Sequence, residues 1–342
     1  RLLKDAFGLG LYYPGQAFVA STPRKIWNPV ARLGGDLARL MAEDGAEMRE
    51  ELALLYGDLP LPAPADTIIQ DAYRAAMFNE IEVLRYTAMT PRNIERVCAV
   101  EGLEHLDRAL SAGKGAIILI GHFGANQMIM PALGHLGYPM NQLSAPPPVW
   151  AEILSDTRTN PWWRAVLARR WALEQRLPVR HINVFRFLRQ AFECLRNNEA
   201  LGLAFEGGGG RGWTQVSMLA RTANVSTQPI QLWRKTGAAV LPTMVYRDRD
   251  SDRHHMRIEA PLEWQPHTDR AEEDRLNMQA YVDRFCAWVK ERPDQYLQFM
   301  LMRRRVRSTD VQPLFDDYPL APDQLTPDEA MARLRRAGEW NG

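Results

Sequence analysis

Ala116-Ile117-Ile118-Leu119-Ile120, enclosed by Gly115 and Gly121, decides the fold class. An unbroken apolar run between glycines matches a strand buried on both faces, as in a parallel sheet covered by helices. Gly121-His122-Phe123-Gly124-Ala125-Asn126-Gln127 follows, so an imidazole is delivered at a strand end, where α/β folds build their active sites. Gly121 and Gly124 let a ligand approach the backbone closely. On its own, a histidine in such a place is more often structural than catalytic.

Outward from this strand, short apolar runs alternate with helical stretches: residues 115–120, 127–136, 149–171, 185–197 and 201–205. That alternation predicts an α/β fold, a twisted and mostly parallel sheet flanked by helices on both faces. Residues 238–246 and 254–258 are expected as later strands, and residues 269–291 as a long helix. Two helices are expected ahead of the sheet. Leu37, Leu40, Met41, Met48, Leu52, Leu54 and Leu55 recur at helical spacing, and Thr67-Ile68-Ile69-Gln70 has the form of a capping box before a helix over 72–86. Residues 141–145 with Pro146-Pro147-Pro148 are expected as a loop near the site. Residues 310–325 are rich in Pro and Asp, and Thr326-Pro327-Asp328-Glu329 starts a short terminal helix over 327–337. The expected organisation is an apolar N-terminal segment (1–30), one main domain (31–307) and a tail (308–342).

A chain of 342 residues with 46% hydrophobic content can bury a large core, and a net charge of +1 gives no general signal for nucleic acid. Only five of its 42 cations are lysines. Codon bias explains such an arginine excess; phosphate recognition, for which the guanidinium fork is suited, is the functional alternative. Arg164, Arg169, Arg170, Arg211, Arg221 and Arg234 are the candidates, with Arg303-Arg304-Arg305 and Arg307 as a separate basic cluster. Cys98, Cys194 and Cys286 are isolated and odd in number, which gives neither a disulfide framework nor a thiolate metal site and fits a reduced compartment. His254 and His255 are neighbours and would face opposite sides of a strand, so no metal site is expected there.

Leu201 to Phe205 is a second apolar run that ends in an ionisable residue, Glu206, before Gly207-Gly208-Gly209-Gly210-Arg211-Gly212. These glycines formally match a dinucleotide-binding fingerprint, but Trp213-Thr214-Gln215-Val216-Ser217-Met218 after them has strand character where that motif requires a helix. A phosphate-binding P-loop is excluded because no Lys-Ser or Lys-Thr follows. The loop is expected as adaptable backbone lining a site, its N–H groups able to bind an anion or oxyanion.

The ordered set Val100-Glu101-Gly102-Leu103-Glu104-His105-Leu106, Gly113-Lys114-Gly115, Gly121-His122-Phe123-Gly124, Leu201 to Glu206, Arg221-Thr222-Ala223, Lys235 to Pro242 and Pro293-Asp294-Gln295-Tyr296 resembles the bacterial lipid A biosynthesis acyltransferases, a branch of the lysophospholipid acyltransferase superfamily. The resemblance spans roughly residues 34–305. It implies transfer of a fatty acyl group from a thioester, on coenzyme A or acyl carrier protein, to a lipid, glycolipid or smaller acceptor, with no cofactor beyond that co-substrate. It also implies His122 as general base. In the family an Asp or Glu stands five residues after this histidine, whereas here the residue is Gln127, which can hold an imidazole ring but cannot carry its counter-charge. Three readings follow: a replacement introduced for Glu, a natural variant in which another acid serves His122, or a non-catalytic relative that binds acyl chains or glycolipids. A thioesterase is a further alternative.

Glu206 is the candidate acid, and Phe205-Glu206-Gly207 also looks like the superfamily's Glu-Gly acceptor motif. If the two strands are neighbours, Glu206 and His122 meet; otherwise Glu206 caps the glycine loop. The resemblance further implies Phe123, Gly124, Asn126, Arg164, Gly207, Gly208, Arg211 and Arg221 as substrate-binding residues. Met128, Ile129, Met130, Leu133 and Trp162-Trp163 are either walls of an acyl tunnel or ordinary core. Residues 2–20 are too broken by charge, Gly and Pro to span a bilayer, which takes about 20 apolar residues. Leu2, Leu3, Phe7, Leu11, Tyr12, Tyr13 and Phe18 either lie at a membrane interface or pack on the domain. A peripheral protein at the cytoplasmic face of the inner membrane, or a cytoplasmic one, is the expectation.

Overall fold

Every residue of Ala116–Ile120 is buried, and the segment is the central strand of a seven-stranded sheet. This computed structural model describes residue 6 and residues 8–147, 161–184, 189–207, 212–248, 253–306 and 312–318. The strands are β1 (Cys98–Glu101), β2 (Ala116–Ile120), β3 (Met140–Ser144), β4 (Arg180–Asn183), β5 (Ala200–Ala204), β6 (Trp213–Met218), β7 (Arg221–Ser226), β8 (Ala239–Arg247) and β9 (His254–Ile258). The sheet runs β1-β9-β8-β2-β5-β3-β4, and β6 pairs with β7 separately as an antiparallel ribbon. Within the large sheet only β8 and β9 are antiparallel; the other neighbours are parallel. The fold is therefore α/β with a mostly parallel sheet, as the alternation of runs predicts.

Twelve α-helices are described: α1 (Gln16–Ser21), α2 (Arg24–Met41), α3 (Gly45–Tyr56), α4 (Ala65–Leu84), α5 (Ile94–Val97), α6 (Leu103–Ser111), α7 (Ile129–His135), α8 (Pro161–Glu174), α9 (Arg189–Arg196), α10 (Gln228–Thr236), α11 (Arg270–Glu291) and α12 (Leu297–Arg305). The pleat of β2 divides the core. Ile117 and Leu119 join a cluster with α3, α9, α10, α11 and α12, whereas Ala116, Ile118 and Ile120 join another with α6, α7 and α8. Helix α4 reaches both, through Ile68 and Ile69 near its start and Ile81 and Leu84 at its end. A two-residue side-chain period buried on both faces is why this strand shows no polar alternation.

Several local expectations are corrected. Residues 140–144 form β3 inside the sheet, not a loop; the polar Asn141 is buried because its amide donates to Glu199 at 2.8 Å. Thr67 lies within the first turns of α4, which begins after Pro64 without a side-chain cap, so the capping box does not form; Gln70 instead donates to Asp36 at 3.0 Å. Met48, Leu52 and Leu55 enter the core, but Leu37, Leu40 and Met41 do not: Leu40 is 81% and Met41 84% exposed. Of the N-terminal apolar residues, Tyr12 is buried, Tyr13 and Phe18 are exposed, and Leu2, Leu3 and Phe7 lie outside the described residues, as does the expected tail helix. Asp269 caps α11, accepting from Glu272 N–H at 3.1 Å and Ala271 N–H at 2.7 Å, and those two backbone donors lower its pKa.

Candidate active site

Strands β2 and β5 are parallel neighbours with Ile120 opposite Ala204, and the ladder extends one step further as Phe205 N–H donates to Ile120 O at 3.0 Å. Two residues past each partner stand His122 and Glu206, so the topology brings an imidazole and a carboxylate to adjacent strand ends. Glu206 Oε1 lies 3.6 Å from His122 Nδ1 and accepts the His122 backbone N–H. The carboxylate is wholly buried, whereas the imidazole is 37% exposed. Because Nδ1 itself is buried, the exposed edge is the Nε2 side. Phe299 stacks on the ring at a centroid distance of 4.3 Å and 4° between planes, which fixes its orientation.

Gly121 makes this approach possible. A Cβ there would lie 2.3 Å from the Phe285 ring and 2.9 Å from Glu206 Oε1, so any side chain would displace the carboxylate. Behind Glu206 sits Arg303, whose buried guanidinium donates to the Glu206 backbone carbonyl. Burial lowers the Arg303 pKa, against the opposing pull of Tyr296 and Glu206. Burial, reinforced by the Glu206 carboxylate, pushes the Tyr281 and Tyr296 phenols well up. The carboxylate thus stands among neutral phenols and one buried cation.

The open edge of His122 faces a cleft of about 270 Å³. Its walls are Ala72, Ala76, Asn79 and Glu80 of α4, the Gly124–Met128 segment, Arg170 of α8, and Gln295, Gln298, Phe299 and Met302. Gly124, at φ +58°, is pinned by its N–H to Gln295 O at 2.8 Å and by Asn79 to its carbonyl at 2.9 Å. A Cβ at 124 would come within 2.3 Å of Val245 O, so this turn requires glycine. Gln127 lies in the same wall, its Oε1 accepting from Arg170 Nη2 at 3.2 Å. Arg170 is in turn paired with Glu80 and lies 3.5 Å from Glu174, while Tyr12 donates to Glu80 at 2.7 Å. Burial raises the Glu174 carboxyl to about 7, with Glu80 adding to the effect and Arg170 opposing it.

Among the residues expected at the site, His122, Glu206, Gln127, Gly124 and Asn126 come together around the cleft or its rear wall. Phe123 does not: it is buried and packs edge-on against Phe285 in the core. Arg221 does not either, since its buried guanidinium is bound by Glu51 at 2.8 Å and by Asp317, with Phe315 stacked 3.8 Å away. Arg164 is exposed on α8, Gly207 is half-buried beyond β5, and Gly208 and Arg211 fall outside the described residues. Met128, Ile129, Met130 and Leu133 are core residues, of which Met128 also borders the cleft. Among its described residues the basic cluster forms no phosphate patch, since Arg303 points inward and Arg304 and Arg305 pair with Glu50, Glu51, Asp44 and Glu47; Arg307 lies outside the described residues. Of the arginines proposed for phosphate, Arg170 borders the cleft, and Arg234 is bound by Glu273 and Asp274. Asn79, Glu80 and Phe299 carried no motif, and Arg303 stood out only as part of a basic cluster; their positions in space reveal them.

An imidazole backed by a buried carboxylate and open to a cleft is the equipment of a general base. The profile of the bacterial lipid A biosynthesis acyltransferases matches residues 6–306, and the chain belongs to that family, which makes it an acyltransferase. Among curated proteins none matches the sequence significantly. Among solved structures, the 1-acyl-sn-glycerophosphate (LPA) acyltransferase PlsC from Thermotoga maritima aligns over 79% of this chain and 98% of its own, at 15% identity and a TM-score of 0.32. Among the described residues no helix is long and apolar enough to cross a membrane, and no three His, Cys, Asp or Glu side chains cluster to hold a metal.

Proposed function

We propose that the chain moves a fatty acyl group from a thioester, carried by coenzyme A or acyl carrier protein, to a hydroxyl or amine of a lipid, glycolipid or smaller acceptor, with His122 as general base and Glu206 as its counter-ion. The observation that carries this reading is the 3.6 Å approach of Glu206 Oε1 to His122 Nδ1 behind an imidazole edge that opens into the cleft. His122 Nε2 takes the acceptor proton as the acceptor oxygen or nitrogen forms a bond to the thioester carbon. The C–S bond then breaks, and the departing sulfur receives the proton that His122 holds, so the base is regenerated. Glu206 stabilises the imidazolium in between, the work the family assigns to an acid at position 127. This geometry favours a natural variant over a retired binder.

A lipid acceptor places the reaction at a membrane surface, and both carriers are found on its cytoplasmic side. Ile26, Val30, Leu33, Leu37, Leu40 and Met41 form an exposed apolar stripe along α2, which supports peripheral contact there. The test is acyl transfer from an acyl-thioester, with acceptor supplied and omitted, for the parent and His122→Ala. Expected is turnover that requires acceptor and falls by about 10² or more in the variant. Turnover without acceptor would make the protein a thioesterase. Retention of more than about a tenth of the parent rate would remove His122 from the mechanism.

A further inference from the structure

Resting on His122 as the base, we infer that Gln127 is a hydrogen-bond donor to the acyl carbonyl oxygen, a role the family's carboxylate at this position cannot fill. The amide orientation carries the inference. Gln127 Oε1 meets Arg170 Nη2 at 3.2 Å, and a guanidinium has donors only. Turning the amide over would set its NH₂ against those donors, so the oxygen belongs on the Arg170 side and the two Nε2 donors at the other end. Arg170 cannot follow a flip, because it is held by the ion pair to Glu80, by Tyr12 Oη at 3.3 Å and by Glu174 at 3.5 Å. Among the described residues none accepts a hydrogen bond from Gln127 Nε2, and the side chain lines the same cleft as His122.

The chemistry of the step explains why an amide suits this place. As the acceptor atom bonds to the thioester carbon, the carbonyl π electrons move onto oxygen, which becomes an oxyanion. An N–H aimed at it stabilises the transition state more than the ground state. When the oxyanion collapses, the electrons return, the C–S bond breaks and the sulfur takes the proton from His122. A carboxylate at 127 would repel that oxyanion and would be a third acid around Arg170, beside Glu80 and Glu174. With Glu206 serving the imidazole, position 127 is released from the acid's work.

The test compares Gln127→Met, Gln127→Glu and His122→Ala with the parent. It measures kcat, KM for the acyl-thioester, and Kd for two inhibitors: a non-reactive acyl thioether and a tetrahedral phosphonate bearing the same acyl chain. Expected for Gln127→Met and Gln127→Glu is a fall in kcat of about 10² with KM and thioether Kd unchanged, as when one oxyanion donor is lost. Phosphonate binding should weaken by a similar factor. Normal thioether binding also shows each variant to be folded. A kcat for Gln127→Glu equal to or above the parent's overturns the donor role, as does a Gln127→Met variant that keeps its phosphonate affinity. If His122→Ala keeps more than about a tenth of the parent rate, the base itself is wrong; an inactive His122→Ala beside an improved Gln127→Glu sinks only the inference about Gln127.

Discussion

Glu206 and Glu174 are two buried carboxyls, one beside His122 and the other beside Arg170, and their surroundings differ. Glu206 has the His122 backbone N–H and the imidazole beside its carboxyl, and the Arg303 guanidinium on its backbone carbonyl, a setting that suits the counter-ion of an imidazolium. The Glu174 carboxyl has, among the described residues, the Arg170 Nε at 3.5 Å as its ionic partner, and burial raises it to about 7 from 4.5. An acid with a raised folded-state pKa binds its proton more tightly when folded. Its contribution to stability is therefore complete below about 4.5 and is lost as pH climbs to about 7. The loss is on the order of 3 kcal/mol. Glu174→Gln removes the titration, so its advantage over the parent in urea unfolding should be small at pH 5 and grow through neutrality. An advantage independent of pH would show that Glu174 does not titrate in this window. Nothing local to the chain marks this carboxyl: Glu174 closes an ordinary helix, and its environment is assembled from α4 and α8.

At the scale of elements, β2, β5 and α11 were legible because each is locally self-consistent: apolar runs bounded by glycines or an acid, and a helix with Asp269 ready to cap it. Strands β1, β3 and β4 were not. Met140-Asn141-Gln142-Leu143-Ser144 has loop composition, and its amides find partners that the composition does not announce: Asn141 donates to Glu199 across the fold and Gln142 to the adjacent Leu143 carbonyl. Helix α2 misled in the opposite sense, since its periodicity marks a face that the structure leaves uncovered. Ile26, Val30, Leu33, Leu37 and Leu40 repeat every three or four residues, and Lys25 and Arg32 are the exposed charges among them. An apolar face whose exposed charges are cationic suits an anionic lipid surface. Leu33→Glu with Leu40→Glu should lower cosedimentation with phosphatidylglycerol vesicles by about tenfold while leaving turnover of a water-soluble acceptor near the parent's. Unchanged vesicle binding would assign this face another role.

For the whole molecule, the decisive fact is that strands 80 or so residues apart in sequence are neighbours in space, which puts Glu206 beside His122. The sequence supplied both residues and the condition for their meeting, but only the strand order fulfils it. Arg303 shows the same limit: three consecutive arginines have the look of a surface cluster, yet α12 turns the first toward Glu206 and the others toward α3. The pairing of β2 with β5 is thus the central claim, and a double-mutant cycle between their terminal residues tests it most directly. Acyl transfer is measured for His122→Ala, Glu206→Gln and the double variant, each with its thermal melt. If the two side chains act as one unit, each single change should cost about 10² or more, and the double variant should be little worse than His122→Ala alone. Losses that multiply, or a Glu206→Gln variant as active as the parent, would contradict it.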